Sequence, residues 1–187
     1  MTDEAPKKKC GWFMKTLIAL VLLVAAFAGV VAMQPSTFAV TRSATMSASS
    51  SAIFDQINDF RNWDAWSPWA KLDPAVKNTF EGPPAGTGAI FRWSGNDKVG
   101  EGSMTILESR PGELVKIKLA FIKPFESNAI NEFAFKAEGN QTKVTWTMTG
   151  ENNFIGKAFC LFMNMDKMVG GDFEKGLANI KSVVEKK

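Results

Sequence analysis

The stretch Leu114-Val115-Lys116-Ile117-Lys118-Leu119-Ala120-Phe121-Ile122 alternates along its length. Val115, Ile117, Leu119 and Phe121 fall on one side, and Lys116 and Lys118 on the other. A period of two with one apolar and one solvated face is what a half-buried antiparallel strand requires. Pro111-Gly112 turns the chain just before it, and Val99 to Glu108, with Met104 and Ile106 on one face, reads as the preceding strand. Further upstream, Gly95-Asn96-Asp97 is a turn, Ala89 to Trp93 a strand, Gly82 to Gly86 a turn and Val76 to Phe80 a short strand. Downstream, Phe125 to Lys136 sets Phe133 and Phe135 against Glu132 and Lys136. Gly139-Asn140 turns the chain into Thr142 to Thr149, where Val144, Trp146 and Met148 point inward. Phe38 to Met46 reads as the opening strand, with Phe38 and Val40 set against Thr41 and Arg42. Short connections rich in turn residues predict antiparallel neighbours.

Two segments keep a helical period. Ala52 to Asn58 carries Ile53, Phe54 and Ile57, after a small-residue break at Ser47 to Ser51 that can cap a helix. Between Asp59 and Leu72 come Trp63, Trp66 and Trp69, spaced by three, with Pro68 and Pro74 limiting any helix there. From Asn153 onward, Ile155, Phe159, Phe162, Val169, Phe173, Leu177, Ile180 and Val184 fall at steps of three, four or seven. They predict one long C-terminal helix with a single apolar face and a weak point at Gly170-Gly171. A curved sheet followed by such a helix makes a cup with an apolar interior.

Thr16 to Met33 is an uncharged apolar run of 18 residues, near the lower limit for crossing a bilayer core of ~30 Å. Lys7, Lys8, Lys9 and Lys15 flank it upstream, and the nearest downstream charge is Arg42. The positive-inside rule then places residues 1–15 in the cytoplasm and the domain from 38 to 187 on the exported side, periplasmic or extracellular. A second reading is a cleaved signal sequence, because Ala26-Phe27-Ala28 resembles a small-residue cleavage site. Apolar residues continuing to Met33 favour an uncleaved anchor at 16–33. Residues 34–37 are then a very short linker that holds the domain within roughly 10–15 Å of the bilayer.

Composition removes several function classes. The chain is 45% hydrophobic and 22% charged, so it folds around a core. Setting aside the four N-terminal lysines with Asp3 and Glu4 leaves 18 of 22 basic and 17 of 19 acidic residues, a net charge of +1. No basic face is implied, which argues against nucleic acid as a partner. With no histidine, Ser-His-Asp and Cys-His catalysis and imidazole metal ligation are unavailable. No metal and no cofactor is implied. Cys10 and Cys160 fall on opposite sides of the apolar run, which argues against a disulfide between them. Cys160 sits among apolar residues as an inert buried thiol.

The opening strand, the run Ile57-Asn58-Asp59-Phe60-Arg61-Asn62-Trp63 leading into Trp66-Ser67-Pro68-Trp69, the strands and the terminal helix together resemble the SRPBCC superfamily, also called START-like or Bet v 1-like. Within it the resemblance is to the polyketide cyclase/dehydratase and lipid-transport branch, and it covers Phe38 to Glu185. It implies an α+β helix-grip fold: a seven-stranded antiparallel sheet wrapped on the C-terminal helix, with two small helices closing one end. It also implies a ligand cavity between sheet and helix. The N-terminal anchor departs from the simplest members.

The candidate ligand-binding residues are Asn58, Trp63, Trp66, Trp93, Asn131, Trp146, Phe159, Phe162 and Met165. Asn58, Trp93, Asn131 and Trp146 fall on or near inward faces and would orient a ligand. Trp63, Trp66 and Trp69 have three readings: core packing, the lid of a pocket, or contact with the membrane interface. Met163, Met165 and Met168 with Phe159 and Phe162 read either as plain core or as an adaptable pocket lining. Asp97, Glu101, Glu126, Glu132, Glu151, Asp166 and Asp172 are the acids that a cyclisation or dehydration could use, but no spacing brings two of them together. The Gly-rich stretches 82–88 and 95–102 lack a Gly-Lys-Ser/Thr ending and read as hairpin turns, not phosphate loops. Three functions follow: binding of a hydrophobic small molecule or lipid, a cyclase/dehydratase-like enzyme, or a partner-binding envelope module with a filled core. No residue identifies a protein partner.

Overall fold

The computed structural model describes residues 10–186; residues 1–9, with Lys7 to Lys9 of the 1–15 segment expected in the cytoplasm, lie outside them. The chain divides into two compact units. One joins Asn152–Phe162 to the described part of Met1–Ser36, and the other comprises Thr37–Glu151 and Met163–Lys187.

In the first unit, helix α1 (Cys10–Ala32) includes a stretch, Trp12–Ala32, long and apolar enough to cross a membrane. An N-terminal signal sequence would pass the same test. Helix α3 (Phe154–Cys160) starts at Asn153, whose side chain accepts the Gly156 N–H at 2.8 Å.

The second unit is a single antiparallel sheet with helices on one face. Its strands are β1 (Thr37–Met46), β2 (Lys77–Glu81), β3 (Ile90–Ser94), β4 (Glu101–Arg110), β5 (Leu114–Lys123), β6 (Ser127–Glu138) and β7 (Gln141–Glu151). They lie in the order β1-β7-β6-β5-β4-β3-β2. The central hairpins follow from their turns, and β1 reaches its place by pairing with β7 over Thr37↔Glu151 to Met46↔Thr142. Irregularities in β4 at Glu101/Gly102 and Ile106/Glu108 bend the sheet locally. Helix α2 (Ser50–Asn58) starts at Ser49, whose hydroxyl accepts the Ala52 N–H at 3.3 Å, and buries Ile53, Phe54 and Ile57. A 3-10 turn over Phe60–Ala65 follows. Its three-residue period explains the tryptophan spacing, since Trp63 and Trp66 both reach the core.

The predicted thirty-residue helix is two helices. Helix α4 (Met165–Val184) begins after a break at Leu161 to Asn164. Asn164 is the physical reason: its side chain accepts the Lys167 N–H at 3.1 Å and satisfies an orphan donor of a new helix start. Gly170 and Gly171 do not break α4. Gly170 is buried against the Arg42 guanidinium, and a Cβ there would overlap it.

Several polar ties hold α4 on the edge strand β1. Arg42 donates to Asp166 at 2.8 Å and to Glu174 at 2.7 Å, and Lys181 donates to the Thr45 carbonyl at 2.9 Å. Glu185 accepts from Lys181 and from the Ser47 N–H. The hydrogen bond from Arg42 holds the Asp166 carboxyl below its ordinary range, and that from Lys181, followed by the Ser47 N–H, does the same for Glu185. A carboxylate with a depressed folded pKa stabilises the fold above its unfolded pKa, and this contribution is lost as pH falls through the folded value. The gap in melting temperature between the parent and Asp166→Asn is therefore expected to be widest near neutral pH and to close on acidification through the carboxylate range. A gap that stays constant with pH would show that the Arg42–Asp166 pair adds nothing to stability.

Candidate functional site

Cross-strand register arranges the inner face of the sheet in rows. One row runs Arg42, Trp146, Phe133, Val115, and the next Val40, Met148, Asn131, Ile117, Ile106. A third holds Phe38, Gly150, Ala129, Leu119, Met104 and Phe91, and a fourth holds Phe121, Gly102 and Trp93. Burial falls along this series. Met46, Ile53, Ile57, Val115, Ile117, Phe133, Val144 and Ile180 are all 0% exposed, so the end under α2 is sealed at its centre, with Ala44, Phe135, Val183 and Val184 partly buried around it. At the opposite end Phe38, Ala129, Leu119, Phe91 and Trp93 are only partly buried, as are Met165 and Val169 on the first turns of α4 and Trp69. The grip is thus closed at one end and has a half-open apolar mouth at the other.

An aromatic stack fills the middle. Trp146 lies flat on Phe173 of α4, with ring centroids 3.8 Å apart and planes at 8°. Phe133 packs on its other side at 4.6 Å, and Trp66 meets both Trp146 and Trp63, at 6.0 and 4.5 Å. Trp93 connects to this group only through Phe91, Phe60 and Trp63. Four indole N–H groups have partners within the unit. Trp63 donates to the Ile57 carbonyl, Trp66 to the Gln56 carbonyl, Trp93 to the Val99 carbonyl and Trp146 to Asn131 Oδ1, all at 2.9–3.0 Å. An indole so engaged contributes area and shape to a site, and its polar handle is already occupied.

The residues singled out from sequence therefore separate. Trp63, Trp66, Trp146 and Asn131 come together in the buried centre. Asn131, 4% exposed, is the polar member of an otherwise apolar row. Asn58 lies at the sealed end, where its Oδ1 accepts the Ser109 hydroxyl at 2.7 Å and ties α2 to β4. Trp93 stands at the mouth on β3, and Met165 at the mouth on α4. Phe159 and Phe162 belong to the other unit, both exposed, and are not part of the sheet–α4 core. Cys160, expected to be buried, is a half-buried free thiol.

Arg42 was not singled out from sequence. Expected with Thr41 on the outer face, Arg42 instead shares parity with Phe38 and Val40, and a strand period of two places it inside. It is the charged residue on the inner rows, with Asp166 and Glu174 opposing its charge; the hydrogen bond it donates to Asp166, then the one it donates to Glu174, raises its pKa. Asp73, 7% exposed, accepts the Ala75 N–H at 2.9 Å and the Asn96 N–H at 2.7 Å. Its Oδ1 closes a local turn in the loop after Trp69, and its Oδ2 pins that loop to the β3–β4 turn. Of the acids considered for catalysis, Asp97, Glu126, Glu151 and Asp166 are exposed, Asp172 is half-buried on α4, and Glu101 and Glu132 alternate with inward Gly102 and Phe133.

Comparison with known proteins agrees with this geometry. No curated protein matches the chain. Among solved structures, a major latex-like protein from Panax ginseng superposes with a TM-score of 0.59 at 10% identity, covering 81% of this chain and 100% of that one. Protein CV1439 from Chromobacterium violaceum gives 0.57 at 14% identity, covering 82% and 99%. The di-domain ARO/CYC protein BexL, from the BE-7585A biosynthetic pathway, gives 0.59 at 16% identity, with 95% of this chain and 61% of that chain covered. At these identities the structures establish the fold alone, a helix grip. The family is established by sequence: the model for polyketide cyclase / dehydrase and lipid transport proteins matches residues 37–185, and the chain belongs to that family.

Proposed function

We propose that the Thr37–Lys187 domain binds a hydrophobic small molecule or lipid through the half-open end of the grip, and that α1 anchors it to a membrane with the domain on the exported side. The observation that carries the reading is the fall in burial from the sealed rows to the mouth of Phe38, Ala129, Leu119, Trp93, Met165 and Val169. Apolar side chains left half-exposed in a concave face gain ~25 cal/mol per Å² when a ligand covers them. Asn131, one row in, is the polar group available to orient a ligand that reaches past Ala129. Family membership supports the same class of ligand.

The inner positions of the strands carry no Asp or Glu among the described residues, which supports binding over cyclase/dehydratase-like chemistry. A second reading, a partner-binding module with a filled core, draws on the Phe133–Trp146–Phe173 stack, which occupies the middle of the grip.

Native mass spectrometry of Ser36 to Lys187, made in the exported compartment, separates the two. A releasable adduct of lipid or polyketide mass is expected. Ala129→Trp, which plugs the mouth, is expected to abolish the adduct while leaving the circular dichroism spectrum unchanged. A clean apo mass that persists after incubation with membrane lipid extract would sink the binding reading in favour of the partner-binding module.

A further inference from the structure

We propose that α3 is a second membrane contact: a short segment lying in the bilayer interface beside the exit of α1, with its apolar face against lipid. The inference rests on reading α1 as a membrane span.

The first observation is an inverted face. Ile155, Phe159 and Phe162 recur at helical spacing, the pattern that predicts a face packed on the core. All three point away from the protein, 73%, 46% and 79% exposed, and Phe154 is 53% exposed beside them. Soluble proteins seldom leave such a cluster uncovered. The polar Lys157, by contrast, is half-buried and turned inward. A helix with its apolar residues outward and its cation inward is built for an apolar surrounding.

The second observation fixes which surrounding. Lys157 Nζ donates to the Ala32 carbonyl at 3.4 Å, and the Asn152 N–H donates to the Ser36 carbonyl at 2.8 Å. Ala32 is the last residue of α1, and its carbonyl is one of the four that a helix end leaves without a partner. Val31, in the same turn, is 0% exposed, whereas Leu17, Leu22 and Leu23 earlier in α1 are 46%, 64% and 67% exposed. The α3 segment therefore sits on the last turn of α1. The 21 residues Trp12–Ala32 rise about 31 Å at ~1.5 Å each, which matches a hydrocarbon core of ~30 Å. If that stretch spans, its last turn is at the membrane–water boundary, and a helix packed on it lies at the same depth. Phe154, Ile155, Phe159 and Phe162 then meet the headgroup–acyl region, where amphipathic segments bury their apolar side.

The test uses the full chain with both cysteines replaced by serine, reconstituted in phosphatidylcholine–phosphatidylglycerol vesicles. Single nitroxide labels are placed at Phe159→Cys and Phe162→Cys, with Val21→Cys as the mid-span reference and Lys118→Cys as the water reference. Collision rates with oxygen and with a water-soluble nickel chelate are then measured. The expected result is loss of nickel collisions at both α3 positions and a depth on the lipid side, shallower than Val21. If Val21 reads lipid but both α3 labels match Lys118, the inference is overturned and the anchor stands. If Val21 reads lipid while the α3 labels are immobile and shielded from both reagents, protein covers α3, which also overturns it. If Val21 itself reads water, the anchor reading fails and takes this inference with it.

Discussion

Replacing Trp146 with alanine is expected to lower the unfolding free energy by about 3–5 kcal/mol, the usual cost of removing a buried aromatic. Trp146 is 2% exposed and sits between Phe133 and Phe173, so its loss separates β6 from α4 at the point where they meet through a single ring. A second term enters through Asn131. Its Oδ1 accepts the Trp146 N–H at 2.9 Å, and without that donor a buried acceptor is left unmade at a cost of about 1–3 kcal/mol. Trp146→Phe is the milder change, because it keeps one aromatic ring in the stack while removing the N–H together with the rest of the indole. Thermal melts of both variants give the comparison. For a domain of this size, the alanine variant is expected to lose about 6–20 °C and the phenylalanine variant a fraction of that. Equal losses would mean that the ring phenylalanine retains adds nothing, so that the stack is not what Trp146 contributes.

Gly102→Val is expected to be nearly as damaging, for the opposite reason. A Cβ at Gly102 would lie 2.5 Å from the Trp93 ring and 2.6 Å from the Ala120 carbonyl oxygen. The ring can move, but the carbonyl belongs to the paired strand β5 and cannot give way without disturbing the ladder. Overpacking of this kind costs about 1–3 kcal/mol, and occasionally more. Displacing Trp93 would also break its N–H bond to the Val99 carbonyl and reshape the mouth. The variant is expected to show a lowered melting temperature and a shifted tryptophan emission, with the adduct weakened even below the melting range. An unchanged melting temperature would mean that the strand irregularity at Glu101/Gly102 relaxes to accept a side chain.

The strands were legible because each has one wet and one dry face, and short turns left their neighbours little choice. The pairing of β1 with β7 has no local signal, and the strand pattern alone does not name it. The C-terminal half of α4 was legible through Phe173, Leu177 and Ile180, which do pack on the core. Periodicity failed before it, because it reports that a face is apolar and not what covers that face. Ile155, Phe159 and Phe162 keep step with α4 in sequence, yet they belong to another unit. The signal that would have parted them was Asn164 with Asp166 two residues on, a capping residue and a first-turn acid inside an apolar run. Gly170 was misread for a related reason. A glycine in a helix suggests weakness, whereas here the missing side chain makes room for Arg42 from a strand more than a hundred residues earlier in the chain.

The placement of β1 has a consequence for synthesis. Within the sheet β1 pairs only with β7, through Thr37↔Glu151 to Met46↔Thr142, and its charged side chain is held by α4. The first strand to leave the ribosome is therefore the last to find a partner. Hairpins from β2 to β7 can form as they emerge, since each pairs with its immediate neighbour. Phe38, Val40 and Met46 must wait until the whole sheet has been made, and closing a loop that long slows the final step. Until then the growing chain carries an unpaired apolar strand beside α1, a state in which a chaperone would have something to hold.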